Sequence, residues 1–232
     1  MALQVVILAA GMGTRLGKPW PKPLTPLADG RSIMQQQLEN VAEVFGDEAR
    51  TTIVVGFKME MIMEAHPNAT FVYNEIYDQT NTSKSLLKAL RASHESGVLW
   101  LNGDVVFDAR VLERVADRIR QEKSFVCVNT SATAEEEVKY TVDARGNINA
   151  LSKQVKNARG EAVGINFISR HHKSAAIKYL EECADNDYFE RGLELAIEKT
   201  GIEIEPVDIS DLFAVEVDFQ ADLDRANQGF SN

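Results

Sequence analysis

The sequence contains little cysteine and fewer basic than acidic side chains. Cys127 and Cys183 are its two thiols, and neither lies in a C-x-x-C motif or a Cys/His cluster. Isolated cysteines exclude a disulfide framework and a zinc cluster, so we expect both to be buried residues in a reducing compartment. The formal net charge of −10 argues against nucleic acids and anionic membranes as partners.

Long apolar runs, repeats and linkers are also missing. The apolar run at residues 5–10 is too short to span a membrane and lacks the basic flank of a signal peptide. We therefore expect a cytoplasmic protein with no membrane contact. The 232 residues, 44% of them hydrophobic, suffice to bury a full core. The sequence predicts a single domain over residues 1–232.

A glycine-rich loop follows the first apolar segment. Residues 5–8 predict a buried strand, after which Gly11 and Gly13 let the backbone turn and approach a ligand closely. Successive N–H groups in such a loop bind anions, and Arg15 and Lys22 add positive charge for phosphate oxygens. The pattern predicts a polyphosphate site, although a plain turn with a solvated arginine is the alternative. Its predicted residues are Leu8, Ala9, Ala10, Gly11, Gly13, Thr14 and Arg15, with Lys22 beside them.

Two other phosphate-binding motifs do not fit this segment. The glycines superficially match G-x-G-x-x-G, but a dinucleotide fold needs a helix directly after them. Pro19, Pro21 and Pro23 fall where that helix would run, and each costs roughly 3 kcal/mol in a helix interior. No G-K-[ST] follows at the spacing of a Walker loop.

Strands and helices alternate through the first half of the chain. Apolar patterns predict strands at 51–55, 70–73 and 98–101, with Ser32 capping the first helix and Thr82 or Ser83 capping a later one. This order predicts an α/β fold with a doubly wound, mainly parallel, Rossmann-like sheet. Closely spaced strands from Ser124 onward predict a small antiparallel insertion over the substrate site. The predicted later elements are strands 125–128, 138–142, 148–151, 163–168, 202–206 and 213–218 and helices 173–184, 188–199 and 219–226.

Two aspartates each follow an apolar strand. Asp104 comes after the strand at 98–101, and Asp218 ends the run at 213–218. Ligands of open α/β sheets bind at the carboxyl ends of strands, and Mg²⁺ takes one or two carboxylates plus phosphate oxygens. A turn for Asp104 and a helix cap for Asp218 are the alternatives. The four histidines share no spacing with one another or with a nucleophile, and we expect all four at the surface.

The order G-x-G-x-R and then P-K-x-L after a first strand resembles the nucleotidyltransferases that make activated sugars and alcohols from a nucleoside triphosphate. The resemblance implies that the glycine loop and Arg15 hold the triphosphate and that Lys22 contacts phosphate during transfer. It also implies that Asp104 and Asp218 hold Mg²⁺. The link between Arg15 and the Pro-Lys pair is shorter here than is usual in members that act on sugar 1-phosphates.

Later motifs resemble the choline-phosphate and aminoethylphosphonate cytidylyltransferases of this family. They are Tyr73-Asn74, Tyr77, Thr80-Asn81-Thr82, Ser85-Leu86, Ser152-Lys153, Gly160-Glu161, Gly164-Ile165 and Glu216-Val217-Asp218. Asn81, Thr82 and Ser85 at a helix start offer donors for a nucleotide, with ordinary capping as the alternative.

An acceptor site is expected in the second half of the chain. Lys153 suits the acceptor's phosphate, and Glu161 belongs to a shared motif. The aromatic residues Tyr188 and Phe189, with the carboxylates of Asp185, Asp187 and Glu190 around them, suit a cationic amine. A capped helix whose aromatic residues enter the core is the alternative.

The resemblance implies transfer of CMP from CTP to a small phosphate or phosphonate, with a nucleotide-binding half at 1–123 and an acceptor-binding half at 124–228. Phosphocholine and aminoethylphosphonate are the expected acceptors, Mg²⁺ is the expected cofactor, and a homodimer is compatible with the sequence. A sugar-1-phosphate uridylyl- or thymidylyltransferase is one alternative. An isoprenoid-precursor cytidylyltransferase is a second, but its Ala-Arg-Pro element is replaced by Asn102-Gly103-Asp104. An inactive nucleotide-binding regulator on the same fold is a third.

Overall fold

A computed structural model describes residues 2–131 and 137–229. The described strands are β1 Leu3–Ala9, β2 Ala49–Val55, β3 Thr70–Tyr73, β4 Val98–Asn102, β5 Val105–Phe107, β6 Phe125–Asn129, β7 Lys139–Val142, β8 Ile148–Ser152, β9 Gly160–Ile168, β10 Glu205–Asp208 and β11 Ala214–Glu216. The described α-helices are α1 Ile33–Phe45, α2 Met59–Ala65, α3 Thr82–Ala92, α4 Arg110–Arg120, α5 Arg170–Glu182, α6 Phe189–Thr200 and α7 Gln220–Gly229. The predicted domain also includes residues 1, 132–136 and 230–232, which lie outside the described residues.

The main sheet has the strand order β10-β6-β9-β4-β1-β2-β3. Strands β1, β2, β3 and β4 pair in parallel, whereas β9 is antiparallel to both β4 and β6. The hairpin of β7 and β8 pairs with the start of β9, and β11 pairs with β5 in a separate small antiparallel sheet. The mainly parallel α/β fold with an antiparallel addition is therefore confirmed.

The central strand β1 is covered on both faces, which explains why its sequence is continuously apolar. Val5, Ile7 and Ala9 pack with helices α1, α2 and α4 on one side of the sheet. Val6 and Leu8 pack with α3, α5 and α6 on the other side. This double burial holds the loop after β1 at a rigid edge of the sheet.

Local chemistry sets most element ends as predicted. Ser32 caps α1 by accepting a hydrogen bond from the Gln35 backbone N–H. Short 3₁₀ turns at Thr14–Leu16 and Lys22–Leu24 replace a helix after the glycine loop, as the prolines require. The prediction for α3 was wrong, because Asn81 is its cap and Thr82 is already its first helical residue.

The surface assignment of the histidines was wrong for two of the four. His66 and His172 are half-buried, and burial lowers the pKa of each. His172 Nδ1 lies 2.9 Å from Ser124 Oγ, a contact between residues 48 positions apart that no local pattern reveals. Both cysteines are free and buried, as expected. Within residues 2–131 and 137–229, no helix is both long enough and apolar enough to cross a membrane.

Candidate active site

A cavity of about 290 Å³ opens where β1, β4 and β11 end. This is the edge at which open α/β sheets bind ligands. The predicted site residues that line it are Leu8, Ala9, Gly11, Gly13, Thr14, Arg15, Lys22, Thr82, Asp104, Lys153, Tyr188, Glu190 and Asp218. The fold thus gathers side chains from both halves of the chain around one space.

The glycine loop is packed directly against the Lys22 segment. Gly13 has a φ of 58°, in the left-handed region, and a Cβ placed on it would lie 2.9 Å from Lys22 Cβ. Gly103 is equally constrained, since a Cβ there would lie 2.6 Å from the Leu8 carbonyl oxygen. These close approaches bring the basic side chains of the loop to the end of β4.

Lys22 forms the centre of a charged cluster. Its Nζ lies 2.7 Å from Asp104 Oδ2 and 2.5 Å from Asp218 Oδ1, and its side chain is only 10% exposed. Arg15 Nη1 lies 2.7 Å from Asp218 Oδ2. Burial alone would lower the pKa of Lys22, but the two carboxylates outweigh burial and raise it. Burial alone would raise the pKa of Asp218, but Lys22 and Arg15 outweigh it and lower that pKa.

Three more carboxyl groups line the cavity. Burial raises the pKa of Glu190 to about 7, although its own backbone N–H and Lys153 act in the opposite direction. Burial, Asp104 and the other carboxylates raise the pKa of Glu216 well above its usual value, and Asn102 Nδ2 donates to Glu216 Oε1 at 3.3 Å. Burial and neighbouring carboxylates also raise the pKa of Glu137.

Two of these carboxyl groups were not predicted as site residues. Glu216 stands two positions before Asp218, and side chains at i and i+2 of a strand share one face, so this spacing was the available signal. Glu137 carries no comparable signal in the sequence. It reaches the cavity only because the β7–β8 hairpin folds beside β9.

Glu190 lies in the first turn of α6 and is 7% exposed. Its Oε2 is buried and accepts no hydrogen bond from any other described residue. Next to it, Lys153 Nζ lies 4.9 Å from the centroid of the Tyr188 ring. A buried acceptor that lacks a partner, on a residue that lines a cavity, is suited to a donor on a ligand.

Four predicted site residues do not line the cavity. Asn81 caps α3, and Ser85 Oγ accepts a hydrogen bond from Asn74 Nδ2 at 3.1 Å. The Ala10 carbonyl accepts the Phe57 N–H at 3.0 Å. Glu161 lies opposite Lys139 in the pairing of β7 with β9. The first-turn N–H groups of α3 are likewise used within the protein, since Thr82 N–H donates to Asn81 Oδ1 and Ser83 N–H to the Asp187 carbonyl.

The aspartate pair fits a hard divalent cation. Asp104 Oδ1 is buried and has no hydrogen-bond partner among the described residues, so its acceptor capacity is unused within the protein. Across residues 2–131 and 137–229, no group of three or more His, Cys, Asp or Glu side chains is arranged to hold a metal. The pair alone matches Mg²⁺, which usually takes one or two carboxylates and completes its shell with phosphate oxygens and water.

Comparison with known proteins places this chain in a family. Residues 5–173 match the MobA-like NTP transferase domain. The CMP-5'-(3-aminopropyl)phosphonate synthase of Streptomyces rubellomurinus is 31% identical over 250 residues, which cover 99% of this chain and 39% of that protein. The bifunctional protein GlmU of Francisella tularensis is 36% identical over 120 residues, which cover 50% of this chain and 25% of GlmU. The chain therefore spans well under two thirds of the length of either relative.

Solved structures share the whole fold at low sequence identity. The CTP:phosphocholine cytidylyltransferase LicC of Streptococcus pneumoniae has a TM-score of 0.77 at 17% identity, covering 98% of this chain and 99% of LicC. The inositol-1-phosphate CTP transferase of T. maritima has a TM-score of 0.78 at 15% identity, covering 100% of this chain and 97% of that one. The chain belongs to the MobA-like NTP transferase family and is a nucleotidyltransferase.

Proposed function

We propose that this nucleotidyltransferase transfers CMP from CTP, with Mg²⁺, to a small phosphonate or phosphate that carries a cationic amine, and releases pyrophosphate. The observation that carries the proposal is Glu190 Oε2, unpartnered among the described residues and buried on a residue that lines the same cavity as the glycine loop, Arg15 and Lys22. The likeness over nearly the whole chain to a CMP-aminopropylphosphonate synthase supports the same acceptor class.

The triphosphate is assigned to the glycine loop, Arg15 and Lys22. Backbone N–H groups in such a loop and two cations complement phosphate oxygens. Asp104 and Asp218 would hold Mg²⁺, which when bound neutralises charge on the phosphates and on the leaving pyrophosphate. We assign CTP rather than another nucleotide for two reasons. The chain shares motifs with cytidylyltransferases, and it is similar to the relatives described above.

The acceptor's amine is assigned to the carboxylate group formed by Glu137, Glu190 and Glu216. The cavity is lined by five carboxyl groups and three basic side chains. The pKa values of Glu137, Glu190 and Glu216 are raised, and a nearby ammonium would favour their ionised forms. A cation about 4 Å from one carboxylate gains roughly 4 kcal/mol at an effective dielectric constant near 20. This charge pattern favours an acceptor with a positive group at a distance from its phosphonate.

A primary ammonium fits this pocket better than a trimethylammonium group. A primary ammonium has N–H donors for Glu190 Oε2, whereas a trimethylammonium group has none and would leave that oxygen unsatisfied. Among the described residues, the pocket also lacks free aromatic faces that could surround a trimethylammonium group. Lys153 already contacts the Tyr188 ring, and Phe189 is 1% exposed. We therefore place aminoalkylphosphonates ahead of phosphocholine.

The reaction is an in-line displacement at phosphorus. An oxygen of the phosphonate forms a bond to the α-phosphorus of CTP, and the bond from that phosphorus to the bridging oxygen breaks. Pyrophosphate leaves with the electron pair. The attacking oxygen is already ionised, so the residues of the site need only align the reactants and neutralise charge.

The test is a pyrophosphate-release assay with matched acceptors. CTP, UTP, dTTP, ATP and GTP are each combined with 3-aminopropylphosphonate, propylphosphonate, phosphocholine and glucose 1-phosphate. We expect the highest kcat/KM for CTP with 3-aminopropylphosphonate, and a large loss with propylphosphonate, which lacks only the amine. Preference for glucose 1-phosphate would refute the cationic acceptor and leave the nucleotidyltransferase assignment standing. Release of pyrophosphate from no pair would favour the inactive regulator.

A further inference from the structure

The start of α3 is hydrogen-bonded to the loop that precedes α6. The Asn81 N–H donates to the Asp185 carbonyl at 2.8 Å, and the Ser83 N–H donates to the Asp187 carbonyl at 3.3 Å. Asn81 Nδ2 donates to the Asn186 carbonyl at 3.4 Å. These contacts join segments about a hundred residues apart, and they use the backbone N–H groups of Asn81 and Ser83 and the side-chain amide of Asn81 within the protein.

Thr82 adds a cap to a helix that has none of its own. Helix α6 begins at Phe189 after Tyr188, whose side chain makes no capping hydrogen bond. The Phe189 N–H instead donates to Thr82 Oγ1 at 3.1 Å. The Thr82 hydroxyl, which lies on α3, therefore caps α6 in the way that a serine or threonine normally caps its own helix.

We propose that Thr82 is a positioning residue for the acceptor pocket rather than a nucleotide ligand. Its hydroxyl anchors the first turn of α6, and that turn carries Glu190 directly after Phe189. Loss of the anchor lets the first turn fray and moves the carboxylate that faces the acceptor's amine. The proposal rests on the proposed function for its kinetic consequence, whereas the anchoring itself can be measured without any substrate.

The test compares Thr82→Val, which removes the acceptor oxygen at nearly constant volume, with Thr82→Ser, which retains it. Thr200→Val is the matched control, because Thr200 lies at the far end of the same helix and donates to the Ala196 carbonyl. For Thr82→Val we expect faster hydrogen exchange in the peptide covering residues 185–192. We also expect KM for 3-aminopropylphosphonate to rise about fivefold, the size of a lost helix cap, while KM for CTP stays within about twofold. Thr82→Ser should restore both.

The outcomes separate this proposal from the proposed function. A rise in KM for CTP alone, or unchanged exchange over residues 185–192, would overturn the positioning role. If the wild-type enzyme uses no amine-bearing acceptor, the proposed function fails, and the exchange measurement still decides whether Thr82 anchors α6. A lower kcat with both KM values unchanged would also overturn the positioning role, because a merely destabilising change lowers kcat without separating the two KM values.

A second observation concerns the two aspartates. Of their four carboxylate oxygens, Asp104 Oδ2 and Asp218 Oδ1 contact Lys22, and Asp218 Oδ2 contacts Arg15. Lys22 and Arg15 thus engage three of the four oxygens with which the two aspartates would bind a divalent metal. A metal that arrives alone must displace an ammonium that is 10% exposed and doubly paired.

We infer that Lys22 is an internal counter-ion of the proposed cation site and couples metal binding to nucleotide binding. A triphosphate offers Lys22 and Arg15 alternative anionic partners, so its arrival frees both aspartates for the metal. Such coupling is reciprocal, and each ligand strengthens the binding of the other. This inference rests on the proposed assignment of Asp104 and Asp218 to Mg²⁺.

The test measures Mn²⁺ binding by electron paramagnetic resonance in the absence of nucleotide. Lys22→Met should bind Mn²⁺ about tenfold or more tightly than the wild type, within the usual range of coupling between sites. Lys18→Met, which alters a partly exposed lysine of the same segment that contacts Gln220 rather than the aspartates, should match the wild type. Lys22→Gln serves as a second variant if Lys22→Met does not fold.

Equal Mn²⁺ affinity in the wild type and Lys22→Met, lost in Asp104→Asn, would overturn the counter-ion role and keep the metal site. If neither the wild type nor Lys22→Met binds Mn²⁺, Lys22 is not what excludes the metal. That result would overturn this inference and would remove the support for the metal site.

Discussion

Replacing Glu190 with glutamine should stabilise the protein at alkaline pH and weaken its acceptor binding. In the folded chain, burial raises the pKa of Glu190 from its ordinary value of 4.5 to about 7. Between these values the folded state holds the proton while the unfolded state has released it. Stability therefore falls as pH rises from about 4.5 to about 7 and stays lower above that.

The difference of roughly 2.5 pKa units corresponds to at most about 3 kcal/mol, because one unit is about 1.4 kcal/mol. Glutamine cannot ionise, so Glu190→Gln avoids this cost. For a chain of this length about 1 kcal/mol shifts Tm by roughly 2–4 °C. The variant should therefore melt about 5–10 °C above the wild type at pH 8.5 and within about 1 °C of it at pH 4.5.

The same change should raise KM for an aminoalkylphosphonate about tenfold or more, since a hydrogen bond to a charged group is worth about 1.5–3 kcal/mol. Thermal unfolding at the two pH values and steady-state kinetics measure both effects. Glu198→Gln on the same helix is the control, because Glu198 pairs with Lys199 at the surface. Equal Tm differences at pH 4.5 and 8.5 would show that the Glu190 carboxyl is not desolvated, and the reasoning would then be wrong.

Three further predictions concern the charged cluster and its support. Asp104→Asn and Asp218→Asn should each keep the fold and lose most of the turnover at saturating Mg²⁺, and unchanged kcat in either would remove that residue from the metal site. Lys22→Ala should lower kcat about a hundredfold, whereas Lys18→Ala should not, and a rise in KM alone would show that Lys22 binds only the ground state. Gly164→Ala should lower the free energy of unfolding by about 1–3 kcal/mol in urea titrations, because φ is +65° and a Cβ would lie 2.7 Å from a cavity carboxylate. An unchanged urea midpoint would show that this segment relaxes without cost.

Local chemistry let the sequence predict much of the fold. The strand β1, the glycine turn and the absence of a helix after it follow from β-branched residues, glycines and prolines, which act on their own backbone. The alternation of strand and helix placed Asp104 at a strand end. These predictions succeeded because each depends on residues within a few positions of one another.

Only the tertiary structure decided which site residues contact one another and which are buried. Lys22 lies 82 positions from Asp104 and 196 positions from Asp218, so no local pattern reveals that it bridges them. Glu190 became a buried acceptor because α6 packs over the sheet, which removes it from water. The polar cluster at the start of α3 looked the same in the sequence whether it met a nucleotide or another part of the chain. Packing of the loop before α6 against Asn81 and Ser83 gives their backbone N–H groups partners within the protein, which no local pattern reveals.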